Sequence, residues 1–191
     1  MKQLQVTITG TSPLLMHSDR FANPLDPATK AHKELTSVRK KSDETHEAIA
    51  KSEFMASCYW TKQAGFFVPG QNMDACLIGA AKLQKLGVKF KQAVQTLEDE
   101  MALIGSLPEN PEALWAHGDY TDCRGVKVGM AKIMRYRPIF KAWKLKCTII
   151  VNDDVLNVSE VKKALVDAGA LIGLGDYRPR FGRFSVETKD V

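Results

Sequence analysis

The sequence predicts an α+β fold, a βαββαβ core with a helical insertion after the first strand. Three observations predict it. Leu4, Val6 and Ile8 alternate with Gln5, Thr7 and Thr9, and residues 143–151 form a second clear strand-like run. Two stretches, 73–83 and 161–172, carry apolar residues at helical spacing. The order is strand, buried helix, strands, helix, glycine-rich loop, strand. That is the ferredoxin-like or RRM-like plan. Two helices on one face of an antiparallel sheet bury both apolar faces and leave the other sheet face open to a ligand.

A chain of 191 residues builds one core with room for an insertion. A hydrophobic content of 45% and a charged content of 26% are those of an ordinary globular protein. The net charge of +5 hints at a polyanionic partner. Cys58, Cys76, Cys123 and Cys147 have no C-x-x-C spacing and mostly apolar neighbours, which points to buried free thiols. The N-terminus lacks an apolar signal region, and no apolar run nears the roughly 18 residues of a membrane span. A cytoplasmic protein with no membrane partner is therefore expected.

Taken in order, Gly10 ends the first strand. Pro13, Pro24 and Pro27 then impose a long loop. Residues 28–57 read as two helices, the first capped by Asp26 or Thr29, the second by Ser42 or Asp43. Their apolar positions are few (Ile49, Phe54, Met55), so the insertion, about 26–57, is an excursion from the core. Tyr59-Trp60 and Phe66-Phe67-Val68 flank a short hairpin. Asn72 caps a buried helix that Gly87 stops, and residues 88–94 read as a strand with alternating lysines. Residues 112–115 make a single helical turn. From 124 to 147 there are eight bases and no acid, and 130–138 reads as a core strand with bases along one face. Asn157 or Ser159 caps the last helix, and Phe184 and Val186 belong to a last strand.

Between that helix and that strand lies Gly173-Leu174-Gly175-Asp176-Tyr177-Arg178-Pro179-Arg180-Phe181-Gly182-Arg183-Phe184. Gly173, Gly175 and Gly182 shape a turn that approaches a ligand closely. Arg178, Arg180 and Arg183 bring planar forks that match phosphate. Tyr177, Phe181 and Tyr136 offer faces for base stacking, and loop N–H groups make a phosphate nest. Lys132, Arg135 and Arg137 are further phosphate contacts, so binding should depend on salt. A dinucleotide fingerprint is excluded, because it needs a strand before Gly-x-Gly and a helix after it, and here Pro179 follows. No phosphate-loop, paired-cysteine or His-Glu-x-x-His pattern exists, so neither a cofactor nor a metal is expected.

This loop resembles the glycine-rich loop of the CRISPR-associated RAMP superfamily. Phe67-Val68-Pro69-Gly70-Gln71-Asn72-Met73-Asp74-Ala75-Cys76-Leu77 looks like the strand-to-helix corner of its RNA-binding backbone subunits. Leu4-Gln5-Val6-Thr7-Ile8-Thr9-Gly10-Thr11-Ser12-Pro13-Leu14 is similar to its first strand and Ser-Pro-Leu turn. These matches cover about a quarter of the chain. Asp74 departs from the pattern, since many members carry a base there. A divergent relative carried by a phage or other mobile element fits best. The resemblance implies a single RAMP-like domain over 1–191 and binding of RNA or single-stranded DNA. It also implies copies that assemble side by side along the strand, with CRISPR-like complex subunits as further partners.

Two other readings stay open. His17 lies near where the family's processing endoribonucleases place a catalytic histidine, and histidine suits acid–base cleavage of RNA. Asp19 and Asp26 share its loop, and target-cutting backbone subunits use an aspartate in such a loop. The third reading is a protein–protein module that mimics a CRISPR subunit through the 28–57 insertion.

Overall fold

The computed structural model of the chain describes residues 1–190. In order come strands β1 (Lys2–Gly10) and β2 (Leu14–Leu15), helices α1 (Pro27–Ser37) and α2 (Asp43–Ser57), and strands β3 (Trp60–Thr61) and β4 (Gly65–Pro69). Helices α3 (Gly70–Leu83) and α4 (Gly87–Ala93) follow, then strands β5 (Val94–Thr96) and β6 (Glu100–Ala102) and helix α5 (Pro111–His117). Strands β7 (Thr121–Val128), β8 (Ala131–Phe140) and β9 (Lys144–Val151), helix α6 (Val158–Asp167) and strand β10 (Phe184–Asp190) complete it. The fold is mixed α+β with antiparallel sheets. Two compact units emerge: one from Met1–Leu14, Thr61–Ser106 and the chain from Phe140 on, the other from Leu15–Trp60 and Leu107–Ile139. Among the described residues no helix is long and apolar enough to cross a membrane.

The first unit holds a four-stranded antiparallel sheet in the order β10-β1-β9-β5. The register Leu4↔Ile149, Val6↔Cys147, Ile8↔Leu145 puts the buried residues of both central strands on one face. Helix α3 adds buried Met73, Cys76, Leu77, Ala80 and Ala81, and α6 adds Val161, Ala164 and Leu165. Residues on the opposite parity, Gln3, Gln5, Thr9, Lys144 and Lys146, are exposed. That open face carries no aromatic ring on β1 or β9. A second sheet runs β3-β4-β6.

Four sequence expectations need correction here. The strand at 130–138 does not join the core sheet. It is β8, and the place beside β9 goes to β5, three residues long. Residues 88–94 are not a strand. They are largely α4, which buries Phe90 and Ala93, three residues apart, a helical spacing that the alternating lysines obscured. Gly87 opens that helix rather than ending the one before, and Lys85 takes the left-handed position (φ 59°) past the end of α3. Helix α3 starts at Gly70 on Pro69, ahead of Asn72, with the Gly70 N–H held by Asp99 O at 2.9 Å.

In the second unit β7 and β8 form a regular antiparallel hairpin from Thr121↔Pro138 to Val128↔Ala131, in a sheet ordered β2-β8-β7. The expected insertion is α1 and α2. Ser42 caps α2 through the Thr45 N–H, and Asp26 caps α1 through the Ala28 N–H. Phe54 is fully buried, edge-on to Trp115 at 5.1 Å, and Trp115 meets Tyr136 at 6.4 Å. On α1, His32 stacks on Phe21 with ring centroids 4.4 Å apart, and its Nδ1 lies 3.1 Å from Ser52 Oγ.

Burial holds the His32 pKa below its ordinary 6.5. Glu53 opposes the shift and Arg135 adds to it. The folded state thus favours neutral imidazole. The stability this carries is complete above the unfolded value and is lost as pH falls through the lowered one. His32→Gln should flatten the fall of melting temperature between about pH 7 and pH 5. A slope unchanged from wild type would assign that fall to other groups.

All four cysteines are free. Burial pushes the thiols of Cys58, Cys76 and Cys147 up to about 12, which leaves them inert at neutral pH. Cys123 departs from the expectation and is exposed.

Candidate nucleic-acid interface

The loop is built from its base outward. Helix α6 widens into a π-helical turn at Ala168–Ile172, which Gly173 closes by donating its N–H to Ala168 O at 2.8 Å. Gly173 then takes φ 82°. Leu174 and Phe184 are buried, so the two ends of the loop are anchored in the core. Leu174 N donates to Gly182 O (2.9 Å), and Gly182 N to Pro13 O (2.8 Å). Arg183 N donates to Ser12 Oγ at 2.9 Å, and Thr11 N to Arg183 O at 2.8 Å. The Trp143 indole braces the turn by donating Nε1–H to Ser12 O at 2.8 Å. It lies where a Gly10 side chain would stand, so only glycine fits there. Beneath the loop, Cys76 Sγ on α3 is 3.2 Å from Gly173 O.

The structure thus brings together the three sequence stretches singled out above: the Thr11-Ser12-Pro13 turn, helix α3 and the loop. Ser12, Pro13 and Trp143 were not foreseen as loop supports. Their role rests on contacts far apart in sequence, and no local pattern signals it. Asp74, the departure at the helix corner, accepts from Thr96 N at 2.8 Å and Thr96 Oγ1 at 2.7 Å. It pins β5 to α3, a task a base could not perform.

At the tip, Tyr177 stands at φ 56° and is half exposed, with its N–H on Asp176 Oδ1 at 2.7 Å. Gly175 also has positive φ, 76°, and the Arg178–Pro179 peptide is cis. Arg178, Arg180 and Arg183 are exposed. Among the described residues none of them makes an ion pair; Arg183 spends only its Nε–H, on Pro179 O at 2.9 Å. Phe181 is different. It is buried, with its ring 6.0 Å from Tyr177, so it supports the loop and offers no face to a base. Stacking from this loop falls to Tyr177.

The bases of the second unit are less available than an acid-free stretch suggested. Strand parity puts Arg135 and Arg137 on one face of β8 and Lys132 on the other. Arg135 is paired with Glu53, which also accepts the Tyr136 N–H at 3.0 Å. Asp122 receives two bonds from Arg124 and lies 3.9 Å from Arg137, which is 4% exposed. Glu53 and Asp122 lie outside the 124–147 window, so the run of bases by itself gives no sign of them. Lys132 and its cross-strand neighbour Lys127 are exposed.

The remaining candidates belong to the second unit. Asp26 is occupied with its cap and with Arg20 Nε at 2.9 Å, and the Arg20 bond holds its carboxyl below the ordinary range. Asp19 precedes a short 3₁₀ turn at Arg20–Ala22. His17 is exposed, with Nδ1 3.3 Å from Ser57 Oγ, and its carbonyl accepts from the Tyr59 hydroxyl at 3.4 Å. Among the described residues no group of His, Cys, Asp and Glu is placed to hold a metal. Compared with known proteins, the chain matches neither a family model nor a curated protein.

Proposed function

We propose that this chain binds RNA or single-stranded DNA without cleaving it. The contacts come from the glycine-rich loop of a ferredoxin-like core related to the RAMP backbone subunits. The sheet order β10-β1-β9-β5, with α3 and α6 as crossovers, supports that core: it is last, first, third, second in a βαββαβ chain. One observation carries the function. Three exposed arginines and a half-exposed tyrosine share a tip whose base is clamped by four hydrogen bonds to fixed backbone and side-chain groups. A fixed base holds the loop backbone in place before a phosphate arrives, so less backbone ordering is lost on binding.

A mobility shift with labelled single-stranded RNA and DNA tests this. Arg178→Ala with Arg180→Ala should weaken binding by about tenfold or more per arginine. The slope of log affinity against log salt should fall by about two. Wild-type affinity in a folded double variant would sink the loop reading. Cut RNA that is spared by His17→Ala would instead favour an endoribonuclease. No shift with any oligonucleotide would favour a protein–protein module.

A further inference from the structure

The outer edge of β10 is complementary to itself, and we propose that a second copy of this chain pairs with it about a two-fold axis at Thr188. Two bonds set the direction of its backbone groups. Gly10 N donates to Trp143 O at 2.9 Å, and Thr11 N to Arg183 O at 2.8 Å. Along an antiparallel ladder, residues face one neighbour and then the other. Gln5, Thr7 and Thr9 therefore face β10, where Lys189, Glu187 and Ser185 face them in return. Val186, Thr188 and Asp190 must direct their N–H and C=O outward. Among the described residues no strand meets them there. Residues 187–190 are exposed, with the Asp190 carboxylate reaching Lys162 Nζ of α6 at 2.8 Å.

The opposite edge is closed. Strand β5 is three residues long. Its outward Thr96 N–H is taken by the Asp74 carboxylate at 2.8 Å, and beyond it the Glu98 carboxylate accepts the Thr148 N–H of β9 at 2.7 Å. One edge is plugged by a side chain, and the other is left as a template.

Charge decides what fits that template. With Thr188 opposite Thr188 of the copy, the pairs Thr188–Thr188 and Val186–Asp190 are hydrogen-bonded, giving about six backbone bonds. Between them Glu187 faces Lys189 of the copy, twice. These are the non-hydrogen-bonded pairs, whose side chains come closest, and opposite charges there are favourable. Moving the axis by one residue sets Glu187 against Glu187, or Lys189 against Lys189. Lysine on an edge strand commonly guards against stray pairing; here the guard and its acid select one register. An unrelated strand would have to supply an acid and a base at this spacing.

The pair is closed, so it yields a dimer and not the open filament that the family resemblance implies. It doubles the sheet and sets the two glycine loops at opposite ends of the seam, roughly 25 Å apart along the strands. It does not depend on the nucleic-acid reading.

Sedimentation of nuclease-treated protein tests it. The wild type should show a concentration-dependent dimer. Glu187→Lys and Lys189→Glu should each be monomeric, because each sets like charges in both contacts. An equimolar mixture of the two should dimerise, because opposite charges are regained. Thr188→Pro should be monomeric with an unchanged circular dichroism spectrum. It removes an outward N–H that β1 does not use, and edge strands tolerate proline there. A wild type that stays monomeric, charge variants that still dimerise, or a mixture that does not would each overturn the proposal.

Discussion

Glu53→Ala should destabilise the protein by about 3 kcal/mol, the lower end of what breaking one side of a buried ion pair costs. The Glu53 side chain is 5% exposed and serves two groups on β8, the Arg135 guanidinium and the Tyr136 N–H. Truncation to alanine leaves a cation and a backbone donor without their acceptor. The Arg135 side chain is 30% exposed, so water recovers part of its solvation and keeps the loss from the upper end of the range. Glu53→Gln separates the two roles. It keeps an acceptor for Tyr136 and removes the charge, so its cost should be about half as large. Urea denaturation of the three proteins reads the order directly. Equal and small losses would show that Phe54 and Trp115, and not this carboxylate, hold α2 to the hairpin.

That carboxylate also marks where the sequence stops being informative. Period-two alternation locates β1 and β9, and helical spacing locates α3 and α6, because each buries a whole face and so writes it into consecutive residues. Strand β5 is invisible in the sequence. With three residues it shows less than two periods, and its identity comes from Asp74 and β9. Strand β8 is visible as a strand, but periodicity does not say which strand is its neighbour. Its partner β7 is Thr121–Val128, whose pattern passes through Gly125 and signals little. The acid-free run at 124–147 resembles a phosphate-binding face only while acids from outside it are out of view. The loop is legible as a loop, with its exposed arginines, since glycine and arginine there have few other uses. That Phe181 lies under it while Tyr177 lies on it is not legible. Both are aromatic, and only the return of the chain to Pro13 decides which one is covered.

Gly182→Ala should cost about 3–5 kcal/mol and should weaken nucleic-acid binding along with it. Two effects combine. Gly182 has φ 76°, where a side chain costs about 1–2 kcal/mol. A Cβ there would also overlap the Leu174 carbonyl oxygen and lie 2.7 Å from its carbon. The backbone has no easy retreat: the Gly182 N–H is held by Pro13 O and its C=O by Leu174 N. Any shift that relieves the overlap breaks one of those bonds and frees the arm that carries Arg178 and Arg180. Gly65→Ala is the control. Gly65 has φ 69°, and nothing lies within 4 Å of where its Cβ would stand, so it feels the backbone effect alone, about 1–2 kcal/mol. The difference between the two variants, read by thermal or urea denaturation, isolates the contact between the two arms of the loop. If the two cost the same, the arms are not in contact and the arginines have no fixed base. A large difference in stability with unchanged affinity would separate the fold of the loop from binding and move the interface elsewhere, with exposed Lys127 and Lys132 the next residues to substitute.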